Sequence, residues 1–220
     1  MSSTFISFTN EIYKLPIRVG SVTTSQSEFI QRFLLDHPEI TRVLETGFHI
    51  GLSAAVMLDT RPDIIVTSFD IFWFDYTRKA KLILDSFYPK RNLLLAGNSV
   101  SSIPTFFSMF PDYMPDFVFI DGGHERPVPF IDMYTIVSKI KEGTWIMIDD
   151  YCQEHGIHGV IEACDIFIQT KILINHTIYK SGDRGWILGQ RSGIPVPISE
   201  YAENPDNINS LLQDTLSHYT

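Results

Sequence analysis

Val43-Leu44-Glu45-Thr46-Gly47-Phe48-His49-Ile50-Gly51 is the stretch whose reading decides the fold. An apolar run ends on a carboxylate, and two glycines then lead into a segment, 51–60, with helical character. Glycine at 47 permits a tight turn and close backbone approach, and Gly51 lets a helix start beside a ligand. The pattern is acid-x-G-x-x-x-G, not the G-x-G-x-x-G of a dinucleotide site. A carboxylate at this strand end repels a pyrophosphate and suits a cationic ligand. Taken alone, the segment also fits a purely structural strand-to-helix turn.

Further apolar runs lie on either side of helical stretches. The runs are 42–45, 64–70, 93–96, 116–121, 145–149 and 185–189, with 172–179 as a seventh that alternates more. The stretches 51–60, 74–88, 100–110, 127–141 and 156–170 fit amphipathic helices. Continuous apolar runs suit strands buried on both faces, and their alternation with helices predicts βαβ units and a mainly parallel sheet. The runs at 172–179 and 185–190 make a late antiparallel hairpin, turned by Ser181-Gly182-Asp183. Ser25 to Asp36 reads as a helix with Phe29, Ile30, Phe33 and Leu34 on one face, covering the sheet. After Arg191, Gly193 and Pro195, Pro197 and Pro205 mark a loop, with a short helix near 206–217. No stretch reads as a linker. The expectation is one domain over 1–220, with a cover helix in 1–39, a core over 40–190 and a tail over 191–220.

Composition narrows the function. The 220 residues carry 17 Lys and Arg against 26 Asp and Glu, a net charge of −9. An acidic surface disfavours general nucleic-acid binding. Cys152 and Cys164 form no disulfide framework. The longest uncharged run, Asn92 to Pro111, holds glycine, asparagine, four serines and two prolines, so it is no membrane span. The opening Met1-Ser2-Ser3-Thr4-Phe5 lacks the basic and apolar regions of a signal peptide. These features predict a soluble cytoplasmic protein. Its partner would be a small molecule, with neither nucleic acid nor membrane involved, and homo-oligomers are compatible with the sequence.

The chemistry-bearing residues gather at strand ends, where open α/β sheets bind ligands. Asp70 ends the second strand 23 residues after Gly47, near the spacing of about 20 at which an acid meets ribose hydroxyls. It equally suits a helix cap. Asn98-Ser99 follows Gly97, and either contacts an adenine edge or caps the helix that follows. Asp121-Gly122-Gly123-His124-Glu125 ends the fourth strand, and a histidine there is a candidate general base. Asp149-Asp150 ends the fifth. Neighbouring strand residues point to opposite faces, so these two acids converge only if the backbone bends. With Asp121 they would then offer an all-oxygen set suited to Mg²⁺ or Ca²⁺. Otherwise one acid caps a helix and the other faces solvent. Phe72-Trp73-Phe74 reads as core more readily than as pocket wall. His155 and His158 lack a third soft ligand and read as surface residues.

These residues resemble the class I S-adenosylmethionine-dependent methyltransferases. Val43 to Ala54 is similar to the first motif of that family, and Asp70, Gly97-Asn98-Ser99, Phe119-Ile120-Asp121-Gly122-Gly123-His124 and Ile148-Asp149-Asp150 follow in family order. The last two pieces resemble the metal-dependent O-methyltransferase branch, which includes catechol, caffeoyl-CoA and macrolide-sugar enzymes. The resemblance covers about 40–190 and implies a Rossmann-like, doubly wound, seven-stranded sheet with a reversed last hairpin. It implies S-adenosyl-L-methionine as cofactor, Mg²⁺ or another divalent cation, and a small hydroxylated acceptor. It places Glu45, Thr46, Gly47, Gly51 and Ser53 at the methionine part, Asp70 at the ribose, Asn98 and Ser99 at the adenine, and Asp121 beside the cofactor. Asp121, Asp149 and Asp150 would hold the metal, and His124 with Asp121 would carry the catalysis. The chain departs from the branch at Asp149-Asp150, where catechol-type enzymes have Asp-Asn, at Asn98, where many relatives carry an acid, and at His49. Two other readings accompany this one: a tailoring hydroxylase on the same scaffold, as in cephalosporin-tailoring relatives, and a non-catalytic partner-binding protein.

Overall fold

A computed structural model describes residues 1–17, 21–152 and 158–196. Helices α1 (Ser3–Ile12) and α2 (Thr24–Asp36) precede an alternating series. It runs β1 (Arg42–Thr46), α3 (Leu52–Thr60), β2 (Ile65–Asp70), α4 (Thr77–Phe87), β3 (Asn92–Ala96), α5 (Ser99–Met109), β4 (Phe117–Ile120), α6 (Val128–Val137), β5 (Trp145–Ile148) and α7 (His158–Gln169). The hairpin β6 (Leu173–Ser181) and β7 (Arg184–Arg191) closes the fold. The seven strands form one sheet in the order β3-β2-β1-β4-β5-β7-β6. Pairs among β1 to β5 are parallel, and β7 runs antiparallel between β5 and β6. The predicted mainly parallel sheet with a late antiparallel hairpin is therefore present. Ser181 pairs with Arg184 across the turn, where Gly182 takes a φ of +63° that a side chain would resist.

The continuous apolar runs lie where burial is two-sided. All four residues of β4 are buried, as are the last four of β1. The edge strands β3 and β6 are largely half-buried or exposed, which matches the looser pattern of 172–179. Successive strand residues feed two cores. Val43, Val66, Phe117 and Phe119 pack with α1 to α4, whereas Leu44, Phe69, Val118 and Ile120 pack with α5 to α7. This alternation is the period-two pleat of the strands read in three dimensions.

Helix α1 was not predicted. Its sequence is rich in Ser, Thr and β-branched residues, which are weak helix formers. Burial stabilises it instead: Phe5, Phe8 and Ile12 share one face against the first core, and the Ser2 hydroxyl accepts the Phe5 N–H at 3.2 Å. Helix α2 starts one residue before its predicted span, at a capping box in which the Thr23 hydroxyl accepts from Gln26 N–H and the Gln26 side-chain Oε1 accepts from Thr23 N–H. The helix expected near 206–217 and His155 lie outside the described residues. Among the described residues no helix is long and apolar enough to cross a membrane.

Candidate active site

A cavity of about 560 Å³ opens at the carboxyl ends of the parallel strands, where the crossover loops meet. Thr46, Gly47 and Ser53 line it from the β1–α3 turn. Gly47 has a φ of +85°, and a Cβ there would collide with the Asp121 carbonyl oxygen, so the β1 and β4 ends approach only because residue 47 is glycine. Gly51 and Glu45, by contrast, are not among the residues that line the cavity. The space beside Gly51 is filled by the Phe48 ring. Glu45 sits one layer behind the wall, fully buried, accepting hydrogen bonds from the Ser53 and Ser68 hydroxyls. Burial pushes its pKa up to about 7, against the pull of the two serines.

Asp70 does face the cavity. Its Oδ2 accepts the His49 N–H at 2.7 Å and its Oδ1 the Phe72 N–H at 2.6 Å. Both donors belong to non-glycine residues with positive φ, +50° at His49 and +59° at Phe72. One carboxylate thus holds two unfavourable loop conformations in place while lining the cavity. His49 also contacts the Tyr76 hydroxyl through Nε2 at 2.8 Å. Burial lowers its pKa, which favours the neutral ring, with Asp70 opposing. Asn98 caps α5, accepting the Val100 N–H at 3.1 Å, and both Asn98 and Ser99 line the cavity.

The opposite wall carries the acids. Asp150 has a φ of +61°, the bend that two adjacent strand-end acids need to reach one cavity. Asp150 Oδ2 contacts His124 Nε2 at 2.7 Å, and Oδ1 accepts from Arg184 Nη1 at 2.9 Å. Burial works against the Asp150 carboxylate, but His124 and Arg184 hold its pKa below the ordinary range. The bond to Asp150 raises the His124 pKa, with burial opposing. Asp121 is pushed well above the usual carboxylate range, first by burial and then by the charges of Asp149 and Asp150. Asp149 rises to about 6, mainly through burial. Its Oδ1 accepts from Gln26 Nε2 at 2.5 Å and from the Asp150 N–H at 2.8 Å. Ligand atoms of Asp121, His124 and Asp150 all lie within 4.8 Å of one another. Asp149, which the sequence grouped with Asp121 and Asp150, lies outside this close set and is engaged by Gln26 through Oδ1.

Four site residues escaped the sequence reading. Arg184 starts β7 and reaches Asp150 only because β7 pairs with β5. Gln26 belongs to a capping box visible in sequence, but its partner Asp149 is 123 positions away. Asp132 lies on α6 and lines the cavity, and its signal was a lone acid in an otherwise apolar helix. Trp73 was read as core, yet it lines the cavity and is 79% exposed. The residue before it, Phe72, takes a φ of +59°.

Comparison with known proteins accords with this geometry. A family model described as a methyltransferase domain matches residues 44–151. The chain carries a methyltransferase domain. The matched segment begins in β1 and ends just past Asp150, so it includes Asp70, Asp121, His124 and Asp149, whereas Gln26 and Arg184 lie outside it. No curated protein sequence matches the chain. Among solved structures, the fold is similar to the O-methyltransferase from Bacillus cereus in complex with SAH, with a TM-score of 0.71 at 15% identity over 87% of this chain and 92% of that one. It is also similar to the O-methyltransferase TomG from Streptomyces achromogenes, involved in tomaymycin synthesis and in complex with SAM (TM-score 0.68, 17% identity, 88% and 91% covered). A third is the SAH-bound methyltransferase PaMTH1 from Podospora anserina (TM-score 0.69, 12% identity, 87% and 89% covered). At these identities the structural likeness establishes the shared fold of the methyltransferase domain.

Proposed function

We propose that the chain transfers the methyl group of S-adenosylmethionine to a hydroxyl of a small acceptor. The observation that carries this reading is the pairing of two features in one cavity: Asp70 at the β2 end, and the His124–Asp150 pair with Asp121 on the facing wall. The donor set fits the cofactor. Acidic walls suit a sulfonium cation and an ammonium group. Asp70 keeps lone pairs for vicinal hydroxyls, and the turn at Gly47 brings backbone rather than side chain to the ligand. The cofactor supplies an electrophilic methyl on sulfur. The chain must then align the acceptor oxygen with that methyl and receive a proton.

His124 is the proton acceptor in this reading. Asp150 orients its ring and stabilises the imidazolium, and Arg184 keeps Asp150 ionised. A divalent cation also fits here. Asp121, His124 and Asp150 would hold it through a mixed oxygen and nitrogen set, which accepts Mn²⁺ or Fe²⁺ as readily as Mg²⁺. Its chemistry would be to lower the pKa of the acceptor hydroxyl. Asp150 pairs with Nε2 of His124, so in the base role the ring donates there and receives the proton at Nδ1.

The test is product mass. The purified chain, supplied with S-adenosylmethionine and a panel of phenolic and sugar alcohols, with and without Mg²⁺ and Mn²⁺, should yield an acceptor heavier by one CH₂ together with S-adenosylhomocysteine. A product heavier by one oxygen, or turnover of the acceptor without loss of cofactor, would overturn the assignment. Asp121→Ala should abolish any cation-dependent fraction of the activity.

A further inference from the structure

Arg184 stands outside the matched methyltransferase segment, yet it lines the cavity beside the acids. Its neighbours on both sides are docked. The Cys152 thiol donates to the Asp183 carbonyl oxygen at 2.7 Å. Gly185 lies so close to Tyr151 that a Cβ would stand 2.3 Å from the Tyr151 carbonyl oxygen. The start of β7 is thus seated against residues 151 and 152, directly after Asp150, and a side chain at 185 would push it away. From this mount Arg184 Nη1 donates to Asp150 Oδ1 at 2.9 Å. Among the described residues this is the one hydrogen bond of the guanidinium, which leaves its other N–H groups without a protein partner.

Asp121, His124 and Asp150 form the close set that could hold a divalent cation. Asp150 is the member already paired with a guanidinium, a group that stays charged at any working pH. A divalent ion on the same carboxylate would sit beside a fixed positive charge that repels it. Asp149 offers no free replacement, since its Oδ1 already accepts from Gln26 Nε2 and from the Asp150 N–H.

We propose that Arg184 takes the place of a divalent cation at the reacting end: it weakens metal binding to this cluster and supplies the positive charge itself. The second half rests on the proposed methyl transfer. In that reaction the acceptor oxygen bonds to the methyl carbon as the carbon–sulfur bond breaks, and the hydroxyl proton passes to a base. Positive charge beside the oxygen lowers its pKa, and the guanidinium provides that charge without a metal. Methyl transfer by this chain therefore needs no added cation.

The experiment titrates the full chain, freed of metal by chelation and dialysis, with Mn²⁺ and reads the paramagnetic-resonance signal of the unbound ion. Arg184→Gln removes the charge and keeps an N–H donor for Asp150; it should bind Mn²⁺ at least about tenfold more tightly than the wild-type chain. Arg184→Lys keeps the charge and should stay within about threefold of wild type. Adding Asp121→Ala to Arg184→Gln should cancel the gain, which assigns the ion to this cluster. Thermal transitions check the folding of each variant, and Arg184→Met replaces Arg184→Gln in the same test if the latter does not fold. Equal Mn²⁺ affinity in the wild-type chain and Arg184→Gln overturns the proposal, as does an equal gain in Arg184→Lys. In the methyl-transfer assay, wild-type turnover should agree within about twofold between excess EDTA and Mn²⁺, whereas Arg184→Gln should need Mn²⁺. Wild-type turnover that is lost in EDTA and restored by Mn²⁺ overturns the proposal. A chain that methylates no acceptor overturns the methyltransferase reading, and the Mn²⁺ titrations still decide the competition at Asp150.

Discussion

Glu45 shows how a residue can be chemically legible while its partners are not. Its acid character at a strand end is plain in the sequence, but not that its side chain is fully buried and held by Ser53 and Ser68. Its folded pKa of about 7 lies above the ordinary 4.5, so the folded state keeps a proton that the unfolded state releases. The associated stability is complete below about pH 4.5 and is lost as pH rises through about 7. Glu45→Gln should therefore flatten the fall in melting temperature between pH 5 and pH 8 and stabilise the protein at the upper end, by up to about 3 kcal/mol. A pH series of thermal melts checks this, and an unchanged slope would contradict it. At the reacting end, His124→Ala should lower kcat by about 10²–10⁴-fold and leave S-adenosylhomocysteine affinity within about twofold. Asp70, Asp121, His124 and Asp150 were legible because their chemistry and their strand-end positions coincide. Arg184 and Gln26 were not, since their carboxylate partners lie 34 and 123 residues away and are brought in by sheet order and helix docking.

At the level of elements, the β1–α3 turn controls the site. Gly47→Ala forces an alanine into left-handed backbone and drives its Cβ against the Asp121 carbonyl. It should cost at least about 2 kcal/mol and abolish cofactor binding, because the β1 and β4 ends must part. Thermal melts and calorimetry on one preparation separate the two effects. Helix α1 gives the converse case. Phe8 is fully buried and packs edge-on to Phe87 and Tyr88, but α1 contributes no residue to the cavity wall. Phe8→Ala should cost about 3–5 kcal/mol and leave the dissociation constant of S-adenosylhomocysteine unchanged under conditions where the variant is folded. The strands were legible because two-sided burial writes itself as uninterrupted apolar sequence. Helix α1 was not, because its order comes from three side chains docking on a core assembled much later in the chain.

Across the whole molecule, one sheet separates two apolar cores, and the cavity lies where the loops from both layers meet along the carboxyl edge. That edge concentrates Asp70, Asp121, Asp132, Asp149 and Asp150 against Arg184 and two histidines. The excess of carboxylates mirrors the net charge of −9 and favours a cationic ligand over a phosphate. The sheet order and its reversed hairpin were readable as a succession of runs. The shape of the cavity was not, because it depends on positive-φ bends at His49, Phe72 and Asp150, residues for which sequence alone signals no bend. The central claim is that this edge binds the sulfonium cofactor, and its most direct test is calorimetric titration of the full chain with S-adenosylhomocysteine. The account predicts saturable binding at one site per chain, weakened at least about tenfold by Asp70→Ala. A folded wild-type protein that gives no binding heat across temperatures, with no shift of its melting transition by the same ligand, would contradict it.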